Sequence, residues 1–189
     1  LRVALSEEFG LPPGMDVQGK IVSALKRMGA DYVMDTNWSA DVTIMEEGTE
    51  MLANFERAKK AGTLHSKPFT YFTSCCPGWV NYVEKIAPDM IPHVSSTRSP
   101  QAIFGALAKT WLAEHAGIEK RDMRVISIMP CTAKKGEANR DMLKRADGSN
   151  DVDVVLTIRE FARLIKRSGL NLADLPDMPF DTPMMSLSS

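Results

Sequence analysis

Two short apolar runs that each stop at a cysteine beside a proline constrain this chain more than any other feature. Phe69–Thr73 is aromatic and β-branched, a buried strand by type, and it leads straight into Ser74-Cys75-Cys76-Pro77. Val125–Met129 is a second such strand and ends at Pro130-Cys131. Pro77 suits the first position of a helix running to about Ala87, because proline has no N–H to lose there, and Cys76 then stands at the N-cap. A shorter helix is expected after Cys131. A strand that ends in a cysteine and turns at once into a helix places that thiol at the edge of a sheet.

The rest of the chain repeats the alternation. Leu1–Leu5 reads as a strand closed by a Gly and Pro loop, and Val17, Ile21, Ala24, Leu25 and Met28 fall at helical spacing before Gly29. Tyr32–Met34 is a further strand candidate. Val42, Met45, Thr49 and Leu52 mark one stripe of a helix reaching about Gly62. Ser99-Pro100 opens a helix to Gly117, Val152–Leu156 is a strand, and Thr157-Ile158-Arg159-Glu160 is a capping box for a helix closed by Ser168-Gly169. From Leu175 onward Pro176, Pro179 and Pro183 indicate loop. Short strands alternating with longer helices predict an α/β fold with mostly parallel sheets and flanking helices.

Composition narrows the partners. With 23 basic and 24 acidic residues, a net charge of -1 and 44% apolar residues, the 189-residue chain is an ordinary globular sequence. It carries no basic footprint for nucleic acid and no apolar run of the roughly 20 residues that a membrane span requires. Three cysteines, two of them adjacent, are not the even set of a secreted disulfide scaffold, so a reducing compartment fits better. The start at Leu1 and the loop-like end make residues 1–189 read as one partial domain.

Strand ends of one polarity in a parallel sheet open onto a common crevice, where helix N-termini favour the thiolate form that binds metals. A single cysteine is otherwise most often a small buried apolar residue, and both readings stand at this point. Adjacent cysteines cannot easily bond to each other, so if Cys76 holds a metal then Cys75 is available for something else. Lys134 and Glu137 are three residues apart, and spacing alone favours a solvated ion pair. Glu47, Glu50 and Asn54 share one helical stripe, which read by itself is a wet face. His65, His93 and His115 stand in no ligand spacing and read as surface residues. The 12 methionines, Met129 apart, read as core filling.

Two strings go further. Thr73-Ser74-Cys75-Cys76-Pro77-Gly78-Trp79 and Met129-Pro130-Cys131-Thr132-Ala133-Lys134-Lys135-Gly136-Glu137 resemble the first two signature motifs of the iron-only, or [FeFe], hydrogenases. The likeness extends to Ser6-Glu7-Glu8-Phe9-Gly10, to Ala40–Glu47, and to Ser95-Ser96 leading to Ser99-Pro100-Gln101. It implies a site in which a [4Fe-4S] cubane is joined to a two-iron subcluster bearing carbon monoxide, cyanide and azadithiolate. By the same resemblance Cys76 and Cys131 are cubane ligands and Cys75 passes protons to the amine bridge. Lys134 donates to a cyanide, Met129 packs beside the two irons, and Glu47, Ser95 and Glu50 relay protons from the surface.

The implied reaction is the reversible oxidation of hydrogen to protons and electrons. The implied partners are an electron carrier such as ferredoxin or another redox subunit, and maturation proteins that install the two-iron unit. The cytoplasm is the expected location, with the periplasm as an alternative. The third motif of the family, with the other two cubane cysteines, is not in this sequence and is expected beyond the C-terminus, so the chain by itself is expected to be inactive. Pro183–Ser189 fits the family poorly, and Asn54 stands where relatives commonly carry arginine. A related family in cytosolic iron-sulfur cluster assembly usually lacks a cysteine at the position of Cys75, whose presence favours the enzyme. A sensory hydrogenase is a nearer alternative. A thiol redox enzyme would want a C-x-x-C pair, which is absent.

Overall fold

A computed structural model describes residues 2–63 and 69–182. It is rich in helix and contains a small parallel sheet, an α/β arrangement in two compact units: residues 1–35 with 108–189, and residues 36–107. Pro183–Ser189 and His65 lie outside the described residues.

In the first unit the core is a cluster of Leu5, Val17, Ile21, Ala24, Phe161, Ala162, Ile165, Leu172 and Leu175. Helix α1 (Ala4–Glu7) contributes Leu5, α2 (Gln18–Arg27) contributes Ile21 and Ala24, and α8 (Ile158–Arg167) contributes Phe161, Ala162 and Ile165. Burying that many branched and aromatic side chains, at roughly 1.5–3 kcal/mol for each large one, is what holds the helices together. Helix α2 ends where expected, with Gly29 at φ +94°, a conformation that side chains with a Cβ avoid. Helix α8 begins with the capping box: Thr157 accepts from the Glu160 N–H, and the Glu160 carboxylate accepts from the Thr157 N–H.

The sheet is one parallel pair, β1 (Ile126–Ile128) with β2 (Val154–Leu156), in register Ile126–Val154, Ser127–Val155 and Ile128–Leu156. The N–H of Met129 donates to the Leu156 carbonyl and prolongs the ladder to the residue before Pro130. Asp153 braces the start of both strands, since it accepts from the Val125 N–H at 2.7 Å and from buried Lys109 at 2.7 Å.

Three strand expectations are corrected. The strand expected at Leu1–Leu5 is not formed by its described residues: residues 4–7 are helical, the Ser6 hydroxyl donates back to the Val3 carbonyl, and Leu5 is fully buried among helices. Tyr32–Met34 joins no ladder among the described residues, because both main-chain groups of Val33 are taken by Asp181, its N–H by the carboxylate and its carbonyl by the Asp181 N–H. Phe69–Thr73 is neither a strand nor buried. It makes one isolated parallel bridge, Phe72 with Val94, and Phe69 is exposed. Apolar β-branched runs choose a strand only where a neighbour accepts their main-chain bonds, and that neighbour is a tertiary matter.

In the second unit α3 (Asn37–Lys60) packs on α5 (Pro100–Leu107), with the Trp38 and Phe104 rings 5.4 Å apart. Helix α4 (Pro77–Ile86) is followed by a 3-10 segment, Pro88–His93. Ser99 accepts from the Ala102 N–H at the start of α5. The helix expected from Pro100 to Gly117 is divided into α5, a π turn at Ala108–Leu112 and α6 (Ala113–His115), and stops at Gly117 with φ +65°. On α3 the expected apolar stripe is reversed. Met45 and Leu52 are 65% and 60% exposed, while Trp38, Ser39 and Thr43 are buried and Glu47 and Glu50 are half-buried.

Candidate functional site

The cysteine pair sits on a short loop in the second unit. The Phe72 N–H donates to the His93 carbonyl and the Ser95 N–H donates to the Phe72 carbonyl, both at 2.8 Å, so residues 71–73 and 93–95 run side by side up to the pair. Pro77 occupies the first turn of α4 and Cys76 its N-cap, with extended backbone at φ -96° and ψ 109°. The Cys76 side chain makes no capping bond, and both Cys75 and Cys76 are exposed. The Ser74 N–H donates to Glu47 Oε1 at 3.2 Å, and the Ser74 hydroxyl donates to the Thr97 carbonyl. The residue before Cys75 is thus held from both sides, by α3 and by the 95–97 segment.

Glu50 is the centre of a denser network in the same unit. Its carboxylate accepts from the hydroxyls of Ser95 at 2.6 Å, Tyr71 at 2.8 Å and Ser96 at 2.8 Å, and from the Ser96 N–H. Thr97 Oγ1 adds a longer contact at 3.4 Å. Burial pushes the Glu50 carboxyl up, but the hydroxyl donors and the Ser96 N–H outweigh it and hold its pKa at about 2. Burial also raises the Tyr71 phenol, and donation to Glu50 raises it further. The Tyr71 hydroxyl also lies 3.4 Å from the main-chain carbonyl of Glu47. The Ser95 hydroxyl meets Glu50 directly, while Glu47, one turn away on the same helix, bonds the Ser74 N–H, so the stripe that spacing alone reads as a wet face is a bonded face of α3. Asn54 accepts from Arg57, one turn further along α3.

Sequence reasoning missed Tyr71, Ser96 and Thr97. Ser96 stood next to a singled-out residue, but Tyr71 counted only as an aromatic strand position. The one legible signal was its hydroxyl, a group that usually finds a partner when half-buried.

In the first unit β1 carries half-buried Met129 to its end, and exposed Cys131 stands two residues before α7 (Ala133–Ala138). Lys134 and Glu137 pair at 2.8 Å on α7 with side chains only 13% and 7% exposed. The solvated pair favoured by spacing is therefore corrected to a largely shielded one. Among the remaining expectations, His115 is exposed and stacks on Trp111, and His93 is exposed with Nδ1 near the Thr70 carbonyl.

Thiolates are the donors that iron-sulfur clusters take, and Cys76 at the N-cap of α4 and Cys131 two residues before α7 are both exposed and free of disulfides. That donor type fits an iron-sulfur cluster, though two such cysteines are half of a four-cysteine set. Among the described residues no group of three or more His, Cys, Asp or Glu side chains converges as a metal site. No helix among them is long and apolar enough to cross a membrane.

The chain is 46% identical over 184 residues to the NADP-reducing hydrogenase subunit HndD of Solidesulfovibrio fructosivorans, an alignment covering 97% of this chain and 31% of that protein. It is 34% identical over 169 residues to the cytosolic Fe-S cluster assembly factor narfl of Xenopus tropicalis, covering 88% of this chain and 35% of the relative. The structure of an apo [FeFe]-hydrogenase HydA1 variant from Chlamydomonas reinhardtii superposes with a TM-score of 0.86 at 44% identity, covering 97% of this chain and 44% of that one. The chain thus spans between about a third and a half of the length of these relatives. Residues 1–189 match the family model of the iron-only hydrogenase large subunit, C-terminal domain, and the chain belongs to that family.

Proposed function

We propose that this chain is part of the catalytic domain of an [FeFe] hydrogenase, an oxidoreductase that interconverts hydrogen with protons and electrons. The observation that carries the reading is a pair of acids on one face of α3, Glu47 bonded to the Ser74 N–H beside Cys75 and Glu50 bonded to the Ser95 hydroxyl, groups that a purely structural cluster holder does not need. The better identity to HndD than to the assembly factor supports the same side.

Cys76 and Cys131 would hold the [4Fe-4S] cubane. Met129 would pack beside the two-iron subcluster with its carbon monoxide, cyanide and azadithiolate ligands, and Lys134 would donate to a cyanide. When bound, the cluster supplies the iron at which hydrogen is split and the path by which electrons leave. The chain's own residues do the proton work. Cys75 is a titratable thiol on the loop, and Glu47 reaches that loop through the Ser74 N–H. Glu50, joined to Ser95, stands one turn further along α3. Hydroxyls both accept and donate, so Ser95 can hand a proton on without a net charge of its own. Lys134, kept in a shielded ion pair with Glu137, is a fixed positive donor, which suits a buried anionic ligand. An electron carrier such as ferredoxin or a redox subunit would take the electrons, and maturation proteins would install the two-iron unit. Cytoplasm or periplasm would both serve.

The neighbouring cysteines provide the test in the full-length protein. Cys76→Ala is expected to lose iron and the infrared bands of the metal-bound diatomics. Cys75→Ala is expected to keep those bands and lose turnover by roughly a hundredfold or more, because the titratable group is gone. Equal iron loss in both refutes the assignment. A protein that holds a cubane but shows no hydrogen chemistry as wild type belongs with the assembly factors.

A further inference from the structure

We propose that Tyr71 is a positioning residue for Glu50, supplying from the neighbouring segment the donor that Asn54 on α3 does not supply. The inference rests on the reading of Glu50 as a proton-relay group. Its geometry is independent of that reading. The Tyr71 hydroxyl donates to Glu50 Oε2 at 2.8 Å and lies 3.4 Å from the Glu47 carbonyl, so one phenol touches both turns of α3 that carry the relay acids. Asn54 lies four residues after Glu50, the spacing at which a cationic side chain would reach back to the carboxylate. Its amide oxygen is instead engaged by Arg57.

Tyr71 is suited to the task by its ring. The Phe69 ring stacks on it with centroids 6.5 Å apart and planes 7° apart, and the main-chain bonds of Phe72 to the 93–95 segment fix the backbone next to it. A rigid ring costs little conformational entropy to order, so its hydroxyl is a preorganised donor. Around Glu50 the other groups are the hydroxyls of Ser95, Ser96 and Thr97, the Ser96 N–H, and Glu47 on the same helix. Those hydroxyls rotate about a single bond, whereas the phenol oxygen is placed by the whole ring. Tyr71 therefore selects one carboxylate rotamer, and its donation is one of the bonds that keep Glu50 ionised. Losing that bond lets the proton affinity of Glu50 rise.

The experiment uses the full-length, cluster-loaded protein and three variants, Tyr71→Phe, Tyr71→Phe with Asn54→Arg, and Glu50→Gln. Diatomic infrared bands report the cluster, and the protonated-carboxyl band that vanishes in Glu50→Gln reports Glu50 as the pH is lowered from 7. Tyr71→Phe is expected to leave the cluster bands unchanged, to move the Glu50 titration upward by on the order of one pH unit, and to slow turnover about tenfold. Asn54→Arg is expected to bring both back toward the parent values, since a guanidinium at that spacing supplies a charged donor to the same oxygen. A Glu50 titration and turnover unchanged by Tyr71→Phe, with Glu50→Gln still impaired, overturns the role of Tyr71 and leaves the relay standing. Full activity in Glu50→Gln overturns the relay itself, and the role of Tyr71 within it.

Discussion

Glu47 shows how little of a residue's role is in its type. Its carboxylate reaches the Ser74 N–H next to the cysteine pair, and its carbonyl lies near the Tyr71 hydroxyl. Glutamine at position 47 keeps an oxygen that can accept from Ser74, so the loop is expected to hold its shape. What is lost is the carboxyl group that the proposed relay requires, since an amide cannot take up a proton and hand it on. Glu47→Gln in the full-length protein is expected to cut turnover by roughly a hundredfold or more while the cluster spectrum stays as it was. A variant that turns over at the parent rate across the working pH range returns Glu47 to a structural hydrogen bond. Lys134 and Glu137 make the same point about burial: the spacing is that of any surface pair, and only the structure shows both side chains largely shielded from solvent.

At the scale of elements, helix starts organise this chain, and the one at Thr157 can be read in both sequence and structure. Glu160 bonds Lys135, the Thr157 N–H and the Thr157 hydroxyl, which together hold its pKa at about 2 against an ordinary 4.5. A carboxyl lowered in the folded state stabilises it fully above its unfolded pKa and loses that contribution as pH falls through the folded value. The capping contribution to α8 is thus expected to be intact above about pH 4.5 and to disappear between there and about pH 2. Replacing Glu160 by glutamine keeps a side chain able to accept and removes the titration. In an acid titration followed by circular dichroism, the variant should lose the part of the unfolding curve that lies in that window. An identical curve in both proteins would mean that the box contributes nothing that depends on charge. Helix α3 carries the opposite lesson, since its 24 residues keep a polar face bonded and leave Met45 and Leu52 exposed. A carboxylate offered several donors gains more by staying with them than two apolar side chains lose by remaining wet.

For the molecule as a whole, three cysteines set a limit on what residues 1–189 can hold. If Cys76 and Cys131 are two of four cubane ligands and Cys75 serves the proton transfer proposed for it, this chain alone lacks the other two. Reconstitution of the 189-residue chain with iron and sulfide, followed by exposure to the two-iron unit, is expected to give no stable infrared bands from iron-bound carbon monoxide or cyanide. Strong, persistent bands would show that fewer protein ligands suffice and would sink the ligand assignment.

Local chemistry was legible without coordinates. Thr157 with Glu160, Pro77 after Cys76, and Gly29, Gly117 and Gly169 mark helix ends through bonds and dihedrals that involve only a few neighbouring residues, and each stands where the sequence places it. The family was legible as well, because the strings around the cysteines are long and their order is unusual. The sequence did not determine which apolar runs become strands. Leu1–Leu5, Tyr32–Met34 and Phe69–Thr73 have the composition of β1 and β2, but a strand is a relation between two segments, and only tertiary contact decides whether Val33 meets another strand or the side chain of Asp181. The partners of Glu50 were hidden for the same reason. Tyr71 and Ser95 stand 21 and 45 residues away along the chain, and no periodicity encodes a bond that closes only when the second unit folds.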